Sequence, residues 1–193
     1  MQKFNLKLIL NVTIIAAFFI SGCTQSSSRS KSNPQLEKKV EFYSMLLEIV
    51  PNSKKGDYYS KLTEVYKELG EKEKAREYQA KFEKEVETNY SGNEIIPGYT
   101  PDYFKKIIQI CDDFIANNPD AAYAYLEEAS SYMSLQNPDK AFEAVNKAID
   151  IDSENADAYI LRSAMYRRID QREKAQIDEQ KAIKLEMQRL DKR

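Results

Sequence analysis

The side chains best suited to nucleophilic, acid–base or metal chemistry are two cysteines and 31 aspartates and glutamates, in a chain of 193 residues without histidine or tryptophan. Without histidine no Cys-His pair forms, and the commonest metal ligand is missing. Cys111 stands four residues after Ile107 and four before Ile115, on an apolar stripe at helical spacing. We expect a buried structural thiol there, because a reactive one needs an accessible, electropositive setting. The neighbouring carboxylates Asp112-Asp113, Glu127-Glu128 and Asp150/Asp152 are the material of general acid–base catalysis. They lie on helical segments that alternate with lysine, which is the pattern of solvated faces. Five glycines make no phosphate-cradling loop. No clustered spacing of metal ligands is present. The expectation is a chain with no catalytic residue, no cofactor and no metal, and therefore not an enzyme.

What must position any functional side chain is a repeat. Tyr125, Ala129, Tyr132, Lys140, Ala141, Lys147, Ala148 and Ile149 recur 34 residues later as Tyr159, Ser163, Tyr166, Lys174, Ala175, Lys181, Ala182 and Ile183. A fixed period of this length marks a solenoid of one supersecondary unit. Tyr125, Ala129 and Tyr132 share one face of a first helix, and Ala141, Val145 and Ala148 one face of a second. Between them Asn137 is placed to cap and Pro138 to begin the second helix. The small residues let two helices approach, and the tyrosines fill the space beside them. One such hairpin cannot bury its apolar face alone, so neighbours must stack on it.

This spacing resembles the tetratricopeptide repeat. With Ala122 as the first position, the family's large, small and aromatic positions 4, 8 and 11 are Tyr125, Ala129 and Tyr132, and its small positions 20 and 27 are Ala141 and Ala148. The next copy supplies Tyr159, Ser163, Tyr166, Ala175 and Ala182. Position 7, often leucine, departs to Glu128 and Arg162, and position 24 of the last copy to Glu179. Upstream, Tyr59, Thr63, Tyr66, Ala75 and Phe82 keep the same offsets, with Gly70 placed as a left-handed helix C-terminal cap. That copy lies 66 residues before the next, not twice 34. The resemblance implies an all-α, short right-handed superhelical solenoid. The middle repeat is half degraded: its first-helix slot holds Asn89 to Tyr99, which has two glycines and a proline.

In chain order, Lys3 and Lys7 precede a nearly apolar run of 13 residues, Leu8 to Ile20. That is short of the ~20 residues a membrane span needs and suits a secretory leader. Ile20-Ser21-Gly22-Cys23 resembles the bacterial lipobox, which implies cleavage after residue 22 and lipidation of Cys23. The serine-rich stretch Thr24 to Asn33 reads as a tether reaching ~33 Å when extended. Thr24, where aspartate would resemble an inner-membrane retention signal, favours the outer membrane and its periplasmic face. The organisation is then 1–22 signal peptide, 23–33 lipidated cysteine and tether, 34–88 an N-terminal helix and first repeat, 89–100 an irregular loop, hinge or cover, and 101–193 a helix, two repeats and a capping helix. In the first part, Leu36, Val40, Tyr43, Leu47 and Val50 mark one helical face, followed by helices near Tyr58–Leu69 and Glu71–Thr88.

The near balance of 29 basic and 31 acidic residues gives no argument for nucleic acid. Of 13 tyrosines, the repeat core accounts for Tyr59, Tyr66, Tyr125, Tyr132, Tyr159 and Tyr166. The resemblance implies a concave ligand face at positions 2, 5, 9, 12 and 13. These are Tyr123, Leu126, Ser130, Met133 and Ser134, then Asp157, Ile160, Ala164, Arg167 and Arg168, and in the first copy Asp57, Ser60, Glu64, Lys67 and Glu68. The Lys and Asn of the chaperone-binding carboxylate clamp are missing. We expect Tyr123, Leu126, Met133 and Ile160 to cover apolar side chains while Arg167 or Arg168 holds a carboxylate of an envelope protein or peptide. The functional expectation is an envelope adaptor or assembly factor, tethered by lipid. Its rivals are a self-associating lipoprotein organising cell-wall or protease complexes, and an enzyme or sugar-binding module.

Overall fold

Pro34 and Pro51 set the first two boundaries of the fold, since proline starts a helix well and cannot continue one. The computed structural model describes residues 33–90 and 100–191. The leader, Cys23, the tether up to residue 32 and residues 91–99 of the expected loop lie outside it. Eight helices are described: α1 (Pro34–Ile49), α2 (Asn52–Glu68), α3 (Lys72–Tyr90), α4 (Pro101–Asn117), α5 (Ala122–Ser134), α6 (Pro138–Ile151), α7 (Ala156–Arg168) and α8 (Arg172–Asp191). No strand occurs among the described residues. Consecutive helices pair as the hairpins α2/α3, α5/α6 and α7/α8, and α6 packs on α7 to join two repeats.

The caps follow from the sequence. Asn33, Thr100, Asn137 and Asn155 each accept a backbone N–H in the first turn of α1, α4, α6 and α7. Each hairpin turn closes in the left-handed region, at Gly70 (φ 75°), Gln136 (φ 58°) and Asp170 (φ 58°). The N–H of the following residue, Glu71, Asn137 or Gln171, donates to the carbonyl of Tyr66, Tyr132 or Tyr166 at 2.9 Å. This is one Schellman turn in three copies, and only the first uses the residue that tolerates it best.

The repeat positions are buried as their spacing requires. Ala129, Ala141 and Ala148 are fully buried, and Ser163, Ala175 and Ala182 nearly so. The first copy departs at two positions. Phe82 stands where the others have alanine, and Gly56 stands where they have Ala122 and Ala156. A Cβ on Gly56 would meet Phe82 Cδ2 at 3.8 Å and Glu85 Cβ at 3.7 Å. Both are ordinary van der Waals contacts, so Phe82 does not by itself demand a glycine there.

Four expectations change. Helix α2 begins at Asn52, six residues before Tyr58, because Pro51 is already extended and can start it. Helix α3 runs on to Tyr90. On α1 the most buried residues are Phe42 and Leu46, with Tyr43 and Val50, while Leu36, Val40 and Leu47 are only partly covered. At the other end no separate capping helix follows among the described residues. Helix α8 is the second helix of the last repeat and continues to Asp191, leaving Ile183, Met187 and Leu190 60%, 61% and 61% exposed.

Helix α4 is packed from an unexpected place. Helix α1 packs on both α2 and α4. Its Phe42 ring lies 4.9 Å from that of Phe114 on α4 and 5.4 Å from that of Tyr123 on α5. Cys111 is fully buried in this cluster and unpaired. Burial pushes its thiol well above the ordinary range, with Glu127, Glu128 and Asp112 adding to the effect.

Candidate functional site

The first helices carry the candidate site. Tyr123, Leu126, Glu127 and Ser130 of α5, Asp157 and Leu161 of α7, and Lys61, Glu64, Val65 and Glu68 of α2 line a cavity of about 350 Å³, which Lys39 and Tyr43 of α1 help to wall. A second hollow of about 370 Å³ shares Lys39, Glu64, Glu68 and Asp157 and runs on past Asp152 and Glu154 to Glu186 and Arg189. Together they form one groove along the first-helix face.

Its floor is fixed by polar contacts between repeats. The Tyr58 hydroxyl donates to Glu127 Oε2 at 3.1 Å, and the Lys61 ammonium pairs with the same carboxylate. That ammonium also stands 5.1 Å from the Tyr58 ring centroid and 5.3 Å from that of Tyr43. Burial raises the Tyr43 phenol far above its ordinary value, and Glu127, Asp157, Tyr123 and Glu64 raise it further. The hydroxyl of Tyr123 is shielded from solvent with no hydrogen-bond partner among the described residues. It too is pushed up, first by burial and then by Asp120 and Glu41.

A larger cavity of about 890 Å³ opens between α4, α5 and α6, lined by Asp112, Tyr125, Glu128, Lys140, Glu143, Lys147 and Asp150 among others. Glu128, half-buried there, has its carboxyl raised to about 7 by burial, with Asp112 and Glu143 adding and Lys140 opposing. Its counterpart Arg162, one repeat on, is fully engaged. Nε and Nη2 donate to the two Asp178 oxygens at 2.8 Å each, and Nη1 donates to Asn146 at 2.8 Å. No group of side chains fit to hold a metal ion occurs among the described residues.

Residues 117–155 match the tetratricopeptide-repeat family. They cover the end of α4, the α5/α6 hairpin and the turn into α7. Comparison with curated proteins yields no match. Among solved structures, MamA is 21% identical, covering 87% of this chain and 99% of its own, with a TM-score of 0.43. MamA residues 41 to the end, from Desulfovibrio magneticus RS-1, are 18% identical over 81% and 97%, with a TM-score of 0.41. YrrB, described as a TPR protein with an unusual peptide-binding site, is 19% identical over 79% and 78%, with a TM-score of 0.40. The fold is an all-α solenoid of tetratricopeptide-like hairpins.

Within that tetratricopeptide-like groove the expected residues divide. Tyr123, Leu126, Ser130, Asp157, Glu64 and Glu68 line it. Met133 does not: it is 8% exposed and packs in the core with Ala129, Ala141, Val145 and Met165. Ile160 is half exposed and stands off the groove, and Leu161 lines it instead. Arg167 reaches α8, where its guanidinium pairs with Glu179, and Arg168 is exposed. Neither arginine lines either hollow. Cys23 lies outside the described residues.

Sequence reasoning missed Lys39 and Tyr43, because α1 stands outside the repeat register that defined the face. It also missed the Lys61–Glu127 pair, whose two members occupy the same sixth position of their copies. A shared position was the available signal.

Proposed function

We propose that this chain is a lipid-anchored protein of the bacterial envelope, on the outer membrane's periplasmic face, which binds a protein partner as an adaptor or assembly factor. The lipobox-like Ile20-Ser21-Gly22-Cys23 supports the anchor. The observation that carries the binding role is the groove along the first helices, where Tyr123 and Leu126 offer apolar cover between charged walls. Such a surface suits a helix or extended segment of another protein.

Two experiments test the two halves. A Cys23→Ser chain should remain unprocessed or soluble and incorporate no labelled fatty acid. Normal membrane partition of that variant defeats the anchor. For the groove, Ser130→Trp places a bulky ring on an exposed lining position without disturbing the core. Crosslinking and pull-down from intact envelopes should recover a partner with the natural chain and lose it with the variant. Equal recovery places binding elsewhere.

Self-association is a second reading, favoured by the exposed stripe of Ile183, Met187 and Leu190. Ile149, which matches Ile183 one repeat earlier, packs against the next hairpin. Sedimentation that stays monomeric at high concentration removes this reading.

A further inference from the structure

We infer that the groove's partner is basic: a lysine- or arginine-rich segment. The inference rests on the groove reading above. It reverses the charge expected from the sequence, since Arg167 and Arg168 do not line the groove.

The two hollows that make up the groove present seven carboxylates and three cationic side chains. Two of the cations are already engaged, Lys61 with Glu127 and Arg189 with Glu186. That leaves Glu64, Glu68, Asp152, Glu154 and Asp157, none with an ion-pair partner among the described residues, facing the single amine of Lys39. Lys39 is drawn toward α5, 5.9 Å from the Tyr123 ring centroid. The charges come from three separate elements: Glu64 and Glu68 one turn apart on α2, Asp152 and Glu154 in the turn after α6, and Asp157 in the first turn of α7. No single helix explains their convergence. Their field is felt in the wall, where Asp157 and Glu64 both act on the Tyr43 phenol.

Like charges held across a concavity repel one another, and a cationic ligand relieves that repulsion while gaining attraction of its own. The aromatic wall adds to the fit. The chain already sets ammonium groups over its tyrosines, Lys61 over Tyr43 among them, so the methylene stem of an incoming lysine or arginine finds the same kind of surface. An acidic segment would be repelled at every one of these positions.

The test uses the full chain in mild detergent and two fluorescein-labelled 14-residue peptides, one alternating lysine with leucine and the other glutamate with leucine. Fluorescence anisotropy at ~150 mM salt keeps long-range attraction screened. The lysine peptide should bind at least about tenfold more tightly than the glutamate peptide. The variant Glu64→Gln/Glu68→Gln/Asp157→Asn should lose about tenfold of that affinity. A control of equal net charge, Glu73→Gln/Glu87→Gln/Glu173→Gln, at exposed positions outside the groove, should keep it. Equal loss in both variants, absence of lysine-peptide binding, or preference for the glutamate peptide overturns the inference. If Ser130→Trp abolishes partner capture while the three neutralised carboxylates leave it intact, the groove reading stands and the basic partner falls. If neither change affects capture, both fall.

Discussion

The seventh position of the repeat shows how one departure from a pattern has two opposite outcomes. Arg162 replaces an apolar residue, and Asp178, 5% exposed, takes its charge through two parallel hydrogen bonds while Asn146 accepts a third. The Tyr159 and Tyr166 rings lie 5.5 and 6.0 Å from the guanidinium. Removing the arginine leaves a buried carboxylate unpaired, so Arg162→Ala should cost ~3 kcal/mol or more in urea denaturation. A loss below ~1 kcal/mol would mean solvent already reaches the pair. Glu128 occupies the same position one repeat earlier and meets carboxylates instead. Its folded-state value of about 7 lies above the ordinary 4.5, so the folded chain holds this proton more tightly than the unfolded one. The group then adds nothing below about pH 4.5, and its penalty grows as pH rises toward 7. With partial exposure screening the effect, Glu128→Gln should gain ~1 kcal/mol at pH 8 and nothing near pH 4. A gain of equal size at both values would assign it to packing rather than to the proton. A third feature is uniform across the copies: Lys74, Lys140 and Lys174 stand 5.1, 5.1 and 5.4 Å from the rings of Tyr66, Tyr132 and Tyr166. This explains why lysine recurs at that spacing when the core does not need it.

Each hairpin is a close approach of two helices, and its weak point is the small residue between them. Ala141 is fully buried and Ala175 is 2% exposed, so Ala141→Leu and Ala175→Leu should each cost ~1–3 kcal/mol through overpacking. Lys147→Ala, on an exposed face, should shift stability by less than ~0.5 kcal/mol in the same denaturation series. Similar costs at all three sites would show that the helices are farther apart than the burial implies. The hairpins were legible in the sequence because their determinants are local. Asn137 and Pro138 announce a helix start, Gly70 a left-handed end, and alanines at fixed spacing the contact line. Two local cases were not legible. Gln136 and Asp170 adopt the left-handed turn without being glycine, because the bond from the next N–H to the tyrosine carbonyl closes the turn whatever side chain it carries. Gly56 would ordinarily weaken a helix, and nothing in the structure explains it, since a Cβ there would meet Phe82 and Glu85 only at ordinary contact distance. The groove was half legible for a related reason. Repeat positions fix which way Tyr123 and Ser130 face, but they say nothing of a helix outside the register, and they put Met133 on a face that the neighbouring Met165 covers.

At the scale of the whole chain, the solenoid is continuous in space but not in sequence. The 34-residue register assigns residues 89–99 to a first helix, of which only Asn89 and Tyr90 are described, at the end of α3, yet α4 does not lack a partner. Helix α1, some sixty residues upstream, brings Phe42 and Leu46, both fully buried, into the cluster of Ile107, Cys111 and Phe114. It also donates from Gln35 Nε2 to Asp120 Oδ2 at 2.6 Å, tying its first turn to the turn after α4. The same helix supplies Lys39 and Tyr43 to the groove, so one segment both completes the core and walls the groove. Contacts this distant in sequence form against a larger loop-closure cost than those within a hairpin. They should therefore be the first lost when the core is weakened. Phe42→Ala removes a ring in contact with Phe114 and Tyr123 and should cost ~3–5 kcal/mol. The loss should be uneven: amide exchange should accelerate in α4 and the start of α5 well before it does in the α7/α8 hairpin, which shares no residue with that cluster. If exchange instead rises evenly through all the described helices, α1 is an integral part of one cooperative unit, not a strut that completes its weakest repeat.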